Sequence, residues 1–172
     1  GPDASLLGGT ALIAANVGLV DGCRIATDVT PFWARSDCTP ESPAIVNVCR
    51  NIVNRGYLHG RLRHNDPDCL IVREAHGREK YAHIPSLTLA ETRLLASAIL
   101  LSGGSLFLGD RLGALPPERL AIIRQVLALA DGRSAVPVDR LDRLVPRLWC
   151  RRGKGTREEP HPDFREALQA LA

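Results

Sequence analysis

Short apolar runs alternate along this chain with longer stretches whose apolar positions recur every three or four residues. Residues 4–9 and 22–26 are short runs bounded by glycine and polar residues, the pattern of buried strands. Ser42-Pro43 then offers an N-cap serine and a proline at the first helical position. Beyond it, Ile45, Val48, Cys49, Ile52 and Val53 fall on one helical face, with Gly56 or Gly60 as the stop. Residues 69–73 form the next predicted strand, reached through Asp66-Pro67-Asp68. Proline removes a backbone donor, so that approach reads as a turn or a strand edge. A basic loop, 74–80, follows. Thr88 with Glu91 three residues on is a capping box, and Leu94, Leu95, Ala98 and Leu101 continue a buried helix up to Gly103-Gly104. Residues 105–109 read as a strand closing at Asp110. Pro116-Pro117-Glu118 opens a last helix, with Leu120, Ile123, Val126 and Leu127 expected to face inward.

Strand and helix in alternation predict an α/β fold with parallel strands and right-handed crossovers. At roughly 30 residues per unit, about four βα units fit before Val136. A closed eight-fold barrel needs about 250 residues, so the expectation is a half barrel or a small open sheet. Residues 1–149 are assigned to this unit. Residues 150–172 are a charged tail rich in Gly and Pro, with a short helix expected over 164–171.

Composition narrows the classes. The 172 residues suffice for one domain with a real core, and 45% hydrophobic with 24% charged residues is a globular balance. A net charge of +3 with few aromatic residues argues against a nucleic-acid surface. No apolar window reaches the length of a membrane span. The five cysteines (23, 38, 49, 69 and 150) are odd in number and form no CxxC, so free thiols in a reducing, cytoplasmic setting are expected. Methionine is absent even at position 1, and the chain is expected to be a fragment.

Parallel βα folds place their chemistry at C-terminal strand ends. Three such ends carry carboxylates: Asp28, the Asp66/Asp68 pair, and Asp110. Arg24 and Asp28 read either as a sugar-binding guanidinium beside a general acid/base or as a structural ion pair. A carboxylic acid can protonate a glycosidic oxygen when burial raises its pKa, an effect that a neighbouring arginine opposes. Asp66 and Asp68 read as ordinary turn residues or as carboxylates lining the pocket and bracing Arg24. Trp33 reads as a stacking platform for a sugar face or as a partly buried loop aromatic. The histidines (59, 64, 76, 83 and 161) show no metal spacing, there is no phosphate-binding glycine loop or nucleophile elbow, and no cofactor is expected.

Two segments carry a resemblance. Val17-Gly-Leu-Val-Asp-Gly-Cys-Arg24-Ile-Ala-Thr-Asp28-Val-Thr-Pro-Phe-Trp33 resembles the acid/base segment of melibiase-type α-galactosidases (glycoside hydrolase families 27 and 36). Asn65-Asp-Pro-Asp-Cys-Leu-Ile-Val-Arg73 is similar to the Asp-Pro-Asp segment those enzymes carry farther along. Residues 87–112 resemble their final helix–strand unit, in matching order. The resemblance implies a partial (β/α)8 TIM barrel, strands five to eight, from a retaining glycosidase acting on terminal α-galactosides. It implies Asp28 as general acid/base, Arg24 as a ligand of the ring near its 2-hydroxyl, and Asp66 and Asp68 as support. Retention also requires a second carboxylate about 5–5.5 Å away. In the family that nucleophile sits in a Lys-x-Asp segment on strand four, ahead of the segments matched here. Where the family usually shows Gly-Cys-Gly-Ala-Pro, this chain has Gly8-Gly9-Thr10-Ala11-Leu12. The expected partner is a carbohydrate, not nucleic acid or membrane. The rival expectations are a non-catalytic carbohydrate-binding or interaction half barrel, self-associating through exposed strand edges, and a truncated product without activity.

Overall fold

A computed structural model describes residues 3–9, 14–75 and 83–151. It is a mixed α/β arrangement of small sheets with three helices among the described residues. Strands β1 (Leu7–Gly8), β2 (Gly22–Arg24) and β3 (His64–Asp66) form one parallel sheet in that order. Its register pairs Leu7 with Gly22, Cys23 with Asn65 and Arg24 with Asp66. Strand β4 (Cys69–Leu70) pairs in parallel with β5 (Phe107–Leu108). A hairpin of β6 (Val136–Pro137) and β7 (Trp149–Cys150), not foreseen from the sequence, closes the described chain.

β3 and β4 are successive pieces of one segment, so 64–70 serves β2 on one side and β5 on the other. The break between them is local. Pro67 lacks a donor, and Asp68 takes φ 75°, a left-handed conformation that aspartate tolerates better than most residues. Asp68 N–H donates to Asp66 Oδ1 at 2.9 Å. The approach predicted as a turn or strand edge is therefore half ladder and half turn, because polar His64, Asn65 and Asp66 pair through their backbones. The other predicted strands are also shorter in the ladder than their apolar runs. Beyond Leu70, the Val72 N–H finds the Asp110 carboxylate instead of a strand, at 2.6 Å.

Helix α1 (Ile45–Arg55) begins later than Ser42-Pro43 suggests, with extended Ala44 as its cap residue. Ser42 is taken up elsewhere: its hydroxyl accepts the Thr39 N–H at 3.0 Å and its carbonyl accepts the Asn47 amide at 2.9 Å. Helix α2 (Leu89–Ser102) starts on the predicted capping box, with Glu91 N–H on Thr88 Oγ1 at 3.2 Å and Thr88 N–H on Glu91 Oε2 at 2.9 Å. It ends at Gly103, φ 70°, where an added Cβ would run into the Ser134 backbone. Helix α3 (Pro117–Leu129) buries Arg119, Ile122, Ile123 and Val126. Leu127 is 53% exposed and Leu120 half-buried. The inward stripe is thus centred on Ile122 and Val126, and Leu127 lies one step around the helix from it.

The core joins Ile25, Ile45, Val48 and Ile52 to Leu70, Val72, Leu95, Ile99, Ile122 and Val126. No helix among the described residues is long and apolar enough to cross a membrane. The residues expected to form the basic loop centre (76–80), most of the charged tail and its short helix, and Thr10, Ala11 and Leu12 lie outside the described residues.

Candidate active site

The parallel register of β2 and β3 sets Arg24 directly beside Asp66. From there the Arg24 guanidinium meets three carboxylates. Its Nη1 lies 3.0 Å from Asp28 Oδ1, its Nη2 2.8 Å from Asp68 Oδ1 and its Nε 3.5 Å from Asp66 Oδ2. The side chains differ sharply in exposure: 7% for Asp66, 12% for Asp68, 26% for Arg24 and 75% for Asp28. Two carboxylates thus hold the arginine from within while the third faces solvent.

Asp68 is the most heavily used of the three. Its Oδ1 also accepts the Cys69 N–H at 2.7 Å, and its Oδ2 accepts the Val29 N–H at 2.8 Å. The left-handed backbone at Asp68 aims one short side chain at Arg24, at its own successor and at the residue after Asp28. Asp66 receives the Asp68 N–H on its side chain and the Ile25 N–H on its carbonyl, the latter at 2.8 Å. Both carboxylates therefore lie within ion-pair distance of Arg24.

Burial alone would make the Arg24 guanidinium easier to deprotonate. The negative charges around it, Asp68 first and then Asp28 and Asp66, outweigh that and raise its pKa above the ordinary value. Burial and the Asp68 charge push the neighbouring Cys69 thiol up to about 11. No cluster of His, Cys, Asp and Glu among the described residues could hold a metal ion.

The remaining predicted residues lie apart from this cluster or serve other contacts. Trp33 is half-buried against the core, and its carbonyl accepts the Val46 N–H at 3.1 Å, tying it to the first turn of α1. No hydrogen bond or ion pair among the described residues links Trp33 to Arg24. The Asp110 side chain is fully buried, with Oδ1 3.5 Å from Arg73 Nε, and it extends the β4–β5 ladder through Val72. His59 and His64 meet edge to face at 4.8 Å near the start of β3, the end of that strand away from Asp66. His83 is exposed, and His76 and His161 lie outside the described residues.

Two structural residues escaped sequence reasoning. Asn65 is fully buried and donates its side-chain amide to the carbonyls of Arg55 and Gly56 at 3.3 and 3.5 Å. Arg119 is 4% exposed. It donates to the Val72 carbonyl, to Leu87 O at 3.0 Å, to Thr92 Oγ1 at 3.3 Å and to Glu74 Oε1 at 2.9 Å. Leu87 N–H in turn donates to Pro31 O at 2.9 Å, within the stretch that follows Asp28. The available signal was an arginine at i, i+3, i+4 and i+7 with Ile122, Ile123 and Val126, inside the apolar stripe of α3.

No family model matches the sequence. Solved structures do share the fold. An α-galactosidase from Saccharomyces cerevisiae solved with raffinose is 21% identical at a TM-score of 0.52, over 69% of this chain and 28% of that one. α-Galactosidase I from Mortierella vinacea is 18% identical at 0.51, over 70% and 32%. A candidate α-galactosidase from Bacteroides fragilis is 17% identical at 0.60, over 77% and 30%. The chain therefore spans about three-tenths of the length of the solved structures it matches, and what it shares with these α-galactosidases is their fold.

Proposed function

We propose that this chain carries the acid/base half of a retaining α-galactosidase-type active site, on strands five to eight of a (β/α)8 barrel. The observation that carries the reading is the Arg24 guanidinium held from below by Asp66 and Asp68 while Asp28 stands toward solvent on its outer nitrogen. The shared fold with α-galactosidases supports it.

In this reading the arginine recognises and Asp28 reacts. Guanidinium presents five N–H donors in a rigid fork, and the bonds to Asp28 and Asp68 use one on each Nη. The outer donors are then available to a ring hydroxyl next to the anomeric carbon. Asp28 protonates the departing glycosidic oxygen, then accepts a proton from the water that attacks the glycosyl-enzyme. Asp66 and Asp68 keep the guanidinium from swinging away when substrate arrives. Trp33 offers a ring face to the sugar. The nucleophilic carboxylate belongs to a Lys-x-Asp segment outside these residues.

Two experiments test this. The isolated chain should not turn over an aryl α-galactoside; turnover abolished by Asp28→Asn would show that it holds a complete site. The protein extended through the coding sequence upstream of Gly1 should hydrolyse α-galactosides, with Asp28→Asn lowering the rate roughly 10²–10⁴-fold. An upstream sequence without a Lys-x-Asp strand would remove the catalytic assignment.

A second reading, association through strand edges, draws on Leu6 (59% exposed), Leu7 (49%) and Phe107 (49%) at the outer strands β1 and β5. Such edges present unpaired backbone groups. A mass in solution of two chains would favour it, and a stable monomer would count against it.

A further inference from the structure

A cavity of about 410 Å³ lies between α1, α2 and the segment leading into β7, and none of its lining residues belongs to the Arg24 cluster. Its volume falls within the range of small-molecule sites, roughly 300–1,000 Å³. Val53, Leu94, Leu101, Val145 and Trp149 make its walls apolar. Cys49 contributes as one more apolar group: burial pushes its thiol up to about 12, so it stays protonated and offers no thiolate. Two guanidiniums, Arg93 and Arg147, share this lining. Neither has a carboxylate within ion-pair distance among the described residues.

The cavity thus joins an apolar interior to two guanidiniums that face no carboxylate among the described residues. Elsewhere Arg24, Arg35, Arg73, Arg119, Arg133, Arg143 and Arg151 each face an aspartate or glutamate, while Arg50 and Arg55 donate to the Asn47 side chain and the Ile25 carbonyl. Apolar walls favour a hydrocarbon or aromatic body by excluding water, while guanidinium favours a carboxylate in bidentate geometry. We propose that this cavity binds an amphipathic anion, a medium-chain carboxylate or an aryl carboxylate, with its apolar body against Leu94, Leu101 and Trp149 and its head group on Arg93 and Arg147. The site is independent of α-galactoside chemistry.

Decanoate titrated into the full chain tests this, read by tryptophan fluorescence and by thermal unfolding. Expected are saturable one-to-one binding, a raised unfolding temperature, and a change in Trp149 emission that persists in Trp33→Phe. Replacing both Arg93 and Arg147 by glutamine, which alters side chains outside the buried core, should weaken decanoate binding at least about tenfold. Decanol should bind the original chain no better than decanoate binds that double variant. Leu94→Trp, which fills the cavity, should abolish binding without lowering the unfolding temperature of the free chain. Absence of saturable binding would overturn the proposal, as would equal affinity for decanol and decanoate. So would hydrogen-exchange protection of residues 152–172 that disappears in Leu94→Trp, which would make the chain's own C-terminal segment the occupant.

Discussion

Asp68 grips Arg24 at 2.8 Å with one carboxylate oxygen and holds the Val29 N–H at 2.8 Å with the other. The left-handed backbone that makes this possible, φ 75°, sits at the break between β3 and β4. One residue therefore joins the arginine, the loop after Asp28 and the split strand. Asp68→Ala should remove a largely buried ion-pair partner, two acceptors for backbone N–H groups and a side chain suited to positive φ. We expect a loss of about 3 kcal/mol in urea unfolding. Asp68→Asn keeps an acceptor and the backbone preference, and should lose roughly half as much.

Burial, and after it the same carboxylate, hold the thiol next to Asp68 in its protonated form. With Cys69 pushed up to about 11 and thiolate the reactive form, only about one molecule in a thousand carries that thiolate at pH 8. Labelling of Cys69 by an aromatic disulfide at pH 8 should be slow in the folded chain and faster in Asp68→Asn, where one of its causes is gone. Cys49, pushed up to about 12 and buried, should label only on unfolding. Mass mapping of the labelled peptides distinguishes the two sites.

Acid should weaken the end of β3 away from the candidate site. His59 Nδ1 accepts the Asn65 N–H at 3.2 Å, and its Nε2 lies 3.2 Å from the Gly132 carbonyl, an arrangement that fits the neutral ring protonated on Nε2. Burial holds its pKa below 6.5; the Gly132 carbonyl opposes that and the neighbouring His64 adds to it. The unfolded chain therefore takes up the proton more readily than the folded one. Stability should be unaffected by this group well above pH 6.5 and should fall as pH drops from 6.5 to the folded value, below which the loss is complete. Urea midpoints at pH 7.5 and pH 5 should differ more for the original chain than for His59→Gln. Equal differences would show that His59 is not the group responsible.

Arg119 is buried and bonded on every side, so its truncation should be costly. Arg119→Met keeps the apolar stem but leaves the carbonyls of Val72 and Leu87 without a donor. A loss of about 2–3 kcal/mol in urea unfolding is expected. Amide exchange should also accelerate at Leu87, whose N–H is bound to Pro31.

How far the sequence foretold this arrangement depends on where the determining forces are local. The α2 capping box was legible because Thr88 and Glu91 satisfy each other's backbone groups within four residues. The start of α1 was misplaced because Ser42, a sound N-cap in isolation, bonds Thr39 instead. β3 was half-hidden because His64-Asn65-Asp66 has no apolar alternation. Its pairing comes from backbone contacts with β2 and from burial of Asn65, which are tertiary facts. Leu127 was placed inward by its apolar character, although the helix seats Ile122 and Val126 there. At the candidate site, Arg24 and Asp28 were visible as a spacing. The grip of Asp66 and Asp68 on the same guanidinium depends on strand register, which spacing does not encode.

The central claim, that Arg24 and Asp28 form a recognition surface for α-galactosides, is tested most directly by sugar titration of the isolated chain followed by NMR. Methyl α-D-galactopyranoside should produce saturable shifts at the Arg24 guanidinium, at Asp28 and at the Trp33 indole, with much smaller shifts for the α-glucoside. Binding should be lost in Arg24→Met and retained in Asp28→Asn. An unresponsive Arg24, or equal responses to both sugars, would contradict the account and leave the cluster as a structural ion network.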